Sequence, residues 1–260
     1  MELTISNLSI DDNSMKITSI KTHKITVGNE SLFNILHKYL NRLKEKSILI
    51  ITSKIVSICE GNVIKIGKIN KIDLIKREAE YFIPPKKSKY NITLTIKRNL
   101  LVPTAGIDES NGNGYFILWP KNPHETANQV REYLKQRFKL KHAGVIITDS
   151  KTTLLRWGTT GFALAHSGFG ALNNYIGRPD IFGRPLHVTK ANIMDSLAAS
   201  AVTVLGEGNE QTPIAIIEDV PFVRFQDRNP TYKELKELSI PIEDDLYAHL
   251  LKSSRWKKGG

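Results

Sequence analysis

Three short stretches of this 260-residue chain carry more oxygen donors than a surface turn needs. The first, Thr104-Ala105-Gly106-Ile107-Asp108-Glu109-Ser110-Asn111-Gly112-Asn113-Gly114, follows the strand-like Leu100-Leu101-Val102. It sets carboxylates, an amide and a hydroxyl in a glycine-rich turn whose backbone N–H groups can also face an anion. The second, Ile146-Ile147-Thr148-Asp149-Ser150, reads as an apolar strand that ends in a carboxylate and a hydroxyl. Hard oxygen donors of this kind suit Mg²⁺ or Mn²⁺, which keep several waters and share their shells with substrate phosphates. The third, Gly206-Glu207-Gly208-Asn209-Glu210-Gln211-Thr212, puts two acids, two amides, a hydroxyl and two glycines into seven residues. Such a loop can wrap a nucleotide and lend one carboxylate to a metal. Each stretch alone also has a plain reading, as an Asp/Asn/Gly turn, a cap or a helix-ending loop. The crowding of the third, and the placement of all three at the ends of apolar elements, favour function.

The elements that must position these clusters are legible from periodicity. Leu32, Ile35, Leu36, Tyr39, Leu40 and Leu43 recur at helical spacing, with Asn29 or Ser31 available as N-cap. Ser47 to Ile51 follows as a short buried strand. Similar runs at Ile92 to Ile96, Tyr115 to Trp119, Gly144 to Thr148 and Pro213 to Ile217 predict further strands. Helical patterns lie around Leu74 to Phe82, Glu125 to Leu140 and Ile193 to Leu205. Interleaved strands and helices sharing a core place the chain in the α+β or mixed α/β class. Met1 to Ser14 alternates as a strand would, Pro84 to Ser88 reads as a surface loop, and the text after Phe225 reads as an appended C-terminal segment.

Composition excludes several classes. One cysteine, Cys59, rules out an internal disulfide, and there is no Cys/His grouping with zinc spacing, so a reducing, cytoplasmic setting is expected. No apolar run approaches the roughly 18 residues that cross a bilayer. The net charge of +11 attracts anions, but the basic residues are scattered rather than gathered on one face. Small phosphorylated and carboxylated ligands are therefore favoured over nucleic acid.

The three clusters in this order, together with Ile51-Thr52-Ser53-Lys54-Ile55-Val56-Ser57-Ile58-Cys59-Glu60-Gly61 and Asp180-Ile181-Phe182-Gly183-Arg184-Pro185, resemble the coenzyme F420-0 gamma-glutamyl ligase family. The resemblance implies an α+β subunit of two interlocked lobes with mixed sheets, which forms a homodimer. It implies a catalytic unit over residues 1–225 and a C-terminal extension over 226–260. The implied reaction joins L-glutamate to a coenzyme carboxylate at the expense of GTP or ATP, with two divalent cations, Mg²⁺ or Mn²⁺, and with K⁺ as a further candidate.

Residue by residue, the resemblance places Asp108 and Asp149 on the first metal, and Ser150 and Glu207 on the second. Ser53, Lys54, Asn111 and the loop Leu205, Gly206, Gly208, Asn209, Glu210, Gln211 and Thr212 fall on nucleotide contacts, with His23 and Lys24 near another. Asp108, Asp149 and Glu207 supply the anions of the chemistry, with Arg156 a candidate cation. The segment Lys151 to Gly158 departs from the family's usual Phe-Gly-Arg-Pro-Trp-Arg stretch. With His166-Ser167-Gly168-Phe169 and the tail, it resembles a branch presumed to act on folate, so folate and deazaflavin acceptors both stay open. His166 is a candidate acceptor contact, Trp157 and Phe169 are candidate ring stackers, and Cys59 reads as a core thiol. A nucleotide-binding homologue without ligase activity is the rival from another class.

Overall fold

The computed structural model describes residues 14–85 and 90–260. Residues 1–13 of the strand expected over Met1 to Ser14, and residues 86–88 of the Pro84 to Ser88 loop, lie outside the described residues. In chain order the elements are β1 (Lys16–Ile20), α1 (Leu32–Tyr39), β2 (Ile48–Thr52), α2 (Ser53–Cys59), β3 (Val63–Lys65), α3 (Lys71–Glu78), β4 (Tyr81–Ile83), β5 (Leu94–Lys97) and β6 (Leu100–Pro103). After a single 3₁₀ turn, Thr104–Gly106, come β7 (Tyr115–Ile117), α4 (Pro123–Phe138), β8 (Gly144–Thr152), β9 (Thr159–Ser167), β10 (Leu172–Asn174), β11 (Lys190–Asn192), α5 (Ile193–Leu205) and β12 (Ile214–Glu218). The C-terminal segment holds α6 (Tyr232–Lys236), α7 (Ala248–Ser253) and β13 (Lys257–Lys258).

The class is α+β, with helices and several sheets, one of them mixed. The main sheet runs β1-β12-β2-β8-β9, with β2 and β8 parallel and the other neighbours antiparallel. Because strand side chains alternate, its apolar runs feed two cores at once. Leu49, Ile51, Val145 and Ile147 face α1 and α4 through Ile35, Leu36, Val130 and Leu134. Ile48, Ile50, Ile146, Ala215 and Ile217 face α5 through Met194, Leu197, Ala201 and Leu205. A smaller lobe holds the four-stranded sheet β13-β4-β5-β6 and the β3-β7 pair, with a third core around Leu74, Phe82, Ile107 and Phe116.

Most expected elements are present, with two shifts. The Ser31 side chain caps α1, but the helix stops at Tyr39, and Leu40 and Leu43 are buried from the segment beyond it. The helix expected to reach Phe82 ends at Glu78, and Phe82 sits on β4, where its core face serves a strand as well as a helix. The C-terminal segment wraps back onto the lobe: β13 pairs with β4, and the Gly259 N–H donates to Glu80 O at 2.9 Å.

Helix α5 lies close on β9 because Gly161 presents no side chain there. A Cβ at that position would stand 2.5 Å from Ala198 O and 2.6 Å from Val202 Cγ2. Gly161→Ala is therefore expected to lower unfolding free energy by about 1–3 kcal/mol, the usual scale for overpacking, read as a lower urea midpoint. An unchanged midpoint would contradict this packing.

Candidate functional site

The three donor-rich clusters meet at one end of the main sheet. The turn after β6 supplies Asp108, β8 supplies Asp149 and Ser150, and the loop from α5 to β12 supplies Glu207. Hydrogen bonds tie the pieces together. Ser150 Oγ donates to Glu207 Oε2 at 3.1 Å, and Asn111 Nδ2 donates to Gly208 O at 2.8 Å. Lys54, in the first turn of α2, reaches across with Nζ 2.7 Å from Asp108 Oδ2, and donates to Ser110 Oγ at 2.9 Å. The Thr22 N–H donates to Gln211 O at 2.8 Å, which brings the segment of His23 and Lys24 beside the same loop.

One expectation about position is corrected. Strand β8 does not end at Asp149 but runs on to Thr152, paired with β9 past a register shift between Ile147 and Thr148. The hairpin partner supplies backbone hydrogen bonds beyond the apolar run, so the strand outlasts its hydrophobic signal. Asp149 and Ser150 therefore stand on a rigid strand, where burial falls from complete at Thr148 to partial.

The two aspartates are tuned in opposite directions. Burial works to raise Asp108, but the Lys54 ammonium and the N–H and O–H of Ser110 outweigh it and hold the carboxyl below its ordinary value. Asp149 is pushed up to about 6 by burial and by the nearby charge of Asp108, against the Ser150 N–H, the Trp119 N–H and Lys54. One carboxyl is held down by a cation and hydrogen bonds and the other is pushed up chiefly by burial, a divergence of the kind that functional sites show.

Among the described residues, no three His, Cys, Asp or Glu side chains stand together as a ready metal cluster. The expected ligand pairs do not require one, since Asp108 with Asp149 gives two acids, and Ser150 with Glu207 gives one acid and a hydroxyl. The donor set does fit hard divalent ions, which take few carboxylates and fill the rest of the shell with water and phosphate. The Lys54 ammonium against Asp108 also shows that this position accepts a cation.

The remaining candidates divide clearly. Ser53 is buried in the first turn of α2 beside Lys54. Glu210 folds back within the loop and accepts from the Gly208 N–H at 2.8 Å, while Thr212 Oγ1 donates to Leu205 O at 2.5 Å. Gly206 and Asn209 lie exposed in that loop, whereas the Leu205 side chain belongs to the α5 core. His23 is engaged by Tyr39 and Glu30, and Lys24 is exposed. Arg156 is not brought to the carboxylates: it stands exposed in the β8–β9 turn, with no hydrogen bond or ion pair among the described residues.

His166 and Phe169 are buried and pack ring against ring at 5.2 Å, so Phe169 offers no open face for stacking. Trp157, 88% exposed, does. Burial pushes the Cys59 thiol up to about 12, which leaves it an inert wall of the core. The residue missed from sequence is Trp119, whose indole Nε1 donates to Asp149 Oδ2 at 2.5 Å. A buried tryptophan needs a partner for its N–H, and an acid cluster next to the Tyr115 to Trp119 strand was the available signal.

Fold and site together define a class of mixed α+β protein in which paired acids, a hydroxyl and a lysine gather beside a glycine-rich loop. Comparison with known proteins narrows the class. Residues 19–219 match the family described as F420-0:Gamma-glutamyl ligase, and the chain belongs to that family. It is similar to the coenzyme F420:L-glutamate ligase of Methanococcus maripaludis strain C7, with 33% identity covering 85% of this chain and 92% of the relative. It is also similar to the proteins of that name from Methanocaldococcus jannaschii, 32% identical over 79% and 86%, and Methanosarcina mazei, 29% identical over 94% and 100%. The protein is thus an enzyme of the amide-forming ligases, acting on small molecules. Among the described residues, no helix is long and apolar enough to cross a membrane.

The raised Asp149 gives a stability prediction. Its pKa is about 6 folded against 3.8 for the unperturbed group, so the unfolded chain ionises first as pH rises and stability is lost between those values. In metal-free protein, Asp149→Asn gives up one of the two oxygens that accept the Trp119 and Ser150 N–H groups, a loss that does not depend on pH. Its stability relative to the parent is expected to rise by up to about 3 kcal/mol from about pH 3 to pH 7, because only the parent must ionise Asp149. Urea unfolding at the two pH values checks this, and a relative stability that does not rise with pH would contradict it.

Proposed function

We propose that the enzyme joins L-glutamate to the carboxylate of an F420-0-type deazaflavin, using GTP or ATP and two divalent cations, Mg²⁺ or Mn²⁺. The observation that carries this reading is the convergence of Asp108, Asp149, Ser150 and Glu207, with Lys54 and Asn111, from segments far apart in sequence. The names of the relatives favour the deazaflavin over folate as acceptor.

A carboxylate does not react with an amine unaided. In the reaction we propose, an acceptor carboxylate oxygen attacks the terminal phosphorus, and the nucleoside diphosphate leaves. The glutamate amine then attacks the acyl phosphate carbonyl. Inorganic phosphate departs and can carry off the amine proton, leaving the amide. Asp108 and Asp149 would hold one cation and Ser150 and Glu207 the other, and the cations when bound would supply positive charge for the phosphates. Lys54, which pairs with Asp108 at 2.7 Å, would turn to a phosphate oxygen when a cation takes its place. Asn111 and the 205–212 loop border the place for the nucleotide, and their mutual hydrogen bond would fix the loop before it arrives. Phosphoryl transfer asks the protein mainly for such positioning and charge neutralisation.

We further propose a homodimer. Leu155 and Trp157 on the β8–β9 turn, and Ile181 and Phe182 between β10 and β11, are 104%, 88%, 92% and 82% exposed, an arrangement that a second copy would cover. A cytoplasmic setting, where nucleoside triphosphate is at hand, suits this chemistry, with residues 1–225 as the catalytic unit and 226–260 as its extension.

Incubation with isotopically labelled glutamate, Mn²⁺, GTP or ATP, and F420-0 or folate is expected to add glutamyl mass to the deazaflavin. Glu207→Gln should lower turnover at least ~100-fold, the scale of losing one transition-state charge contact. Nucleotide and Mn²⁺ binding with no product on either acceptor would instead favour a non-catalytic homologue.

A further inference from the structure

Trp119 joins the segment after β7 to Asp149 on the main sheet. It follows β7, is 3% exposed, and packs in the core that α1 and α4 share with β8. Its indole N–H spends its one donor on Asp149 Oδ2, while the Ser150 N–H takes Asp149 Oδ1 at 2.9 Å. The two donors hold the carboxylate on both oxygens, so its plane and free lone pairs have one direction.

The indole is itself clamped. Phe162 lies against it at 6.1 Å between ring centroids, and Lys97 Nζ stands 5.5 Å from its ring centroid while paired with Glu78 at 3.0 Å. On the remaining side the backbone adopts an uncommon form: Thr104, Ala105 and Gly106 all have positive φ, at 54°, 53° and 70°. Gly106 adopts this form readily, but Thr104 and Ala105 are strained unless the surroundings hold them. The Thr95 hydroxyl does so, accepting from the Ala105 N–H at 2.8 Å and donating to Val102 O at 2.6 Å. The consequence is close approach: a Cβ on Gly106 would stand 2.1 Å from Trp119 Nε1. The same strained turn leads directly to Asp108, so one piece of backbone seats the indole and delivers the other acid.

We infer that Trp119 is a positioning residue that orients Asp149 toward its cation by donating the indole N–H, and that the Thr104–Gly106 turn exists to seat that indole. This rests on the proposed metal reading of Asp149. It assigns Trp119 no contact with substrate or nucleotide. A donor that orients a ligating carboxylate typically changes metal affinity about 10–100-fold.

Two variants separate the N–H from the bulk of the ring. Trp119→Phe removes the N–H and part of the ring, and benzothienylalanine installed at position 119 keeps the fused rings and lacks only the N–H. Mn²⁺ affinity is read on the full chain by the electron-spin signal of free Mn²⁺, with thermal unfolding as a control. Both variants are expected to bind Mn²⁺ at least 10-fold more weakly than the parent, and turnover should recover as Mn²⁺ is raised. If Trp119→Phe does not fold, the fused-ring analogue decides alone. An analogue that binds Mn²⁺ within twofold of the parent overturns the role of Trp119 and leaves the metal reading standing. A parent that takes up no Mn²⁺ overturns the metal reading itself and this inference with it.

Discussion

Like charges gathered in a partly buried place repel, and that repulsion is the constraint to which this fold answers. Asp108 and Asp149 are near enough that the charge of one helps raise the pKa of the other, and Glu207 is linked to the same place through Ser150. Left alone, such a group of acids would favour protonation or local opening. The protein offsets the repulsion in part. Lys54 neutralises Asp108, two N–H donors satisfy Asp149, and the Asn111 bond to Gly208 closes the outer loop. The offset is incomplete: burial is the main cause that pushes Asp149 up to about 6, and the charge of Asp108 still adds to it. A binding site for cations requires that residue of uncompensated charge, and polyphosphate needs cations.

Holding strained chemistry takes a stable frame, and the main sheet provides one. Its central strands are buried on both faces, with α1 and α4 on one side and α5 on the other. Asp149 and Ser150 extend from the same strand that fills both cores, so their backbone cannot drift without disturbing the packing. The remaining acids come from segments with more freedom, the turn after β6 and the loop before β12. The turn is held by the backbone pairing of Asp108 with Ile117 and by Lys54, and the loop by the Asn111 bond to Gly208. Rigid strand on one side and tethered loops on the other suit a reaction that must admit a nucleotide and then hold it.

The sequence revealed the donor clusters because oxygen-bearing residues and glycines crowd there without an apolar period to explain them. It revealed α5 from Ile193 to Leu205 because apolar residues recur there at helical spacing, and the structure adds Asn192 as its cap. What it hid follows from the same physics. The end of β8 was misplaced since pairing with β9 outlasts hydrophobicity, and Phe82 was read as helical since one core face serves either element. Arg156, a candidate cation for the phosphates or the acceptor carboxylate, stands exposed on the β8–β9 turn, a placement that its sequence neighbours do not reveal. Leu205 fell inside a nucleotide-contacting stretch, but its side chain faces inward. Trp119 was invisible as a site residue because an aromatic in an apolar run reads as core, and only three-dimensional placement aims its N–H at Asp149.

The central claim is that four side-chain oxygen sources, at residues 108, 149, 150 and 207, surround a pair of cations that carry polyphosphate. Crystals of the full chain grown with Mn²⁺ and a non-hydrolysable nucleoside triphosphate test it directly through the anomalous signal of manganese. The account predicts two peaks, one shared by Asp108 and Asp149 and one by Ser150 and Glu207, both touching phosphate oxygens, with Lys54 moved off Asp108. Manganese bound elsewhere, or a nucleotide seated with those carboxylates empty, would contradict it.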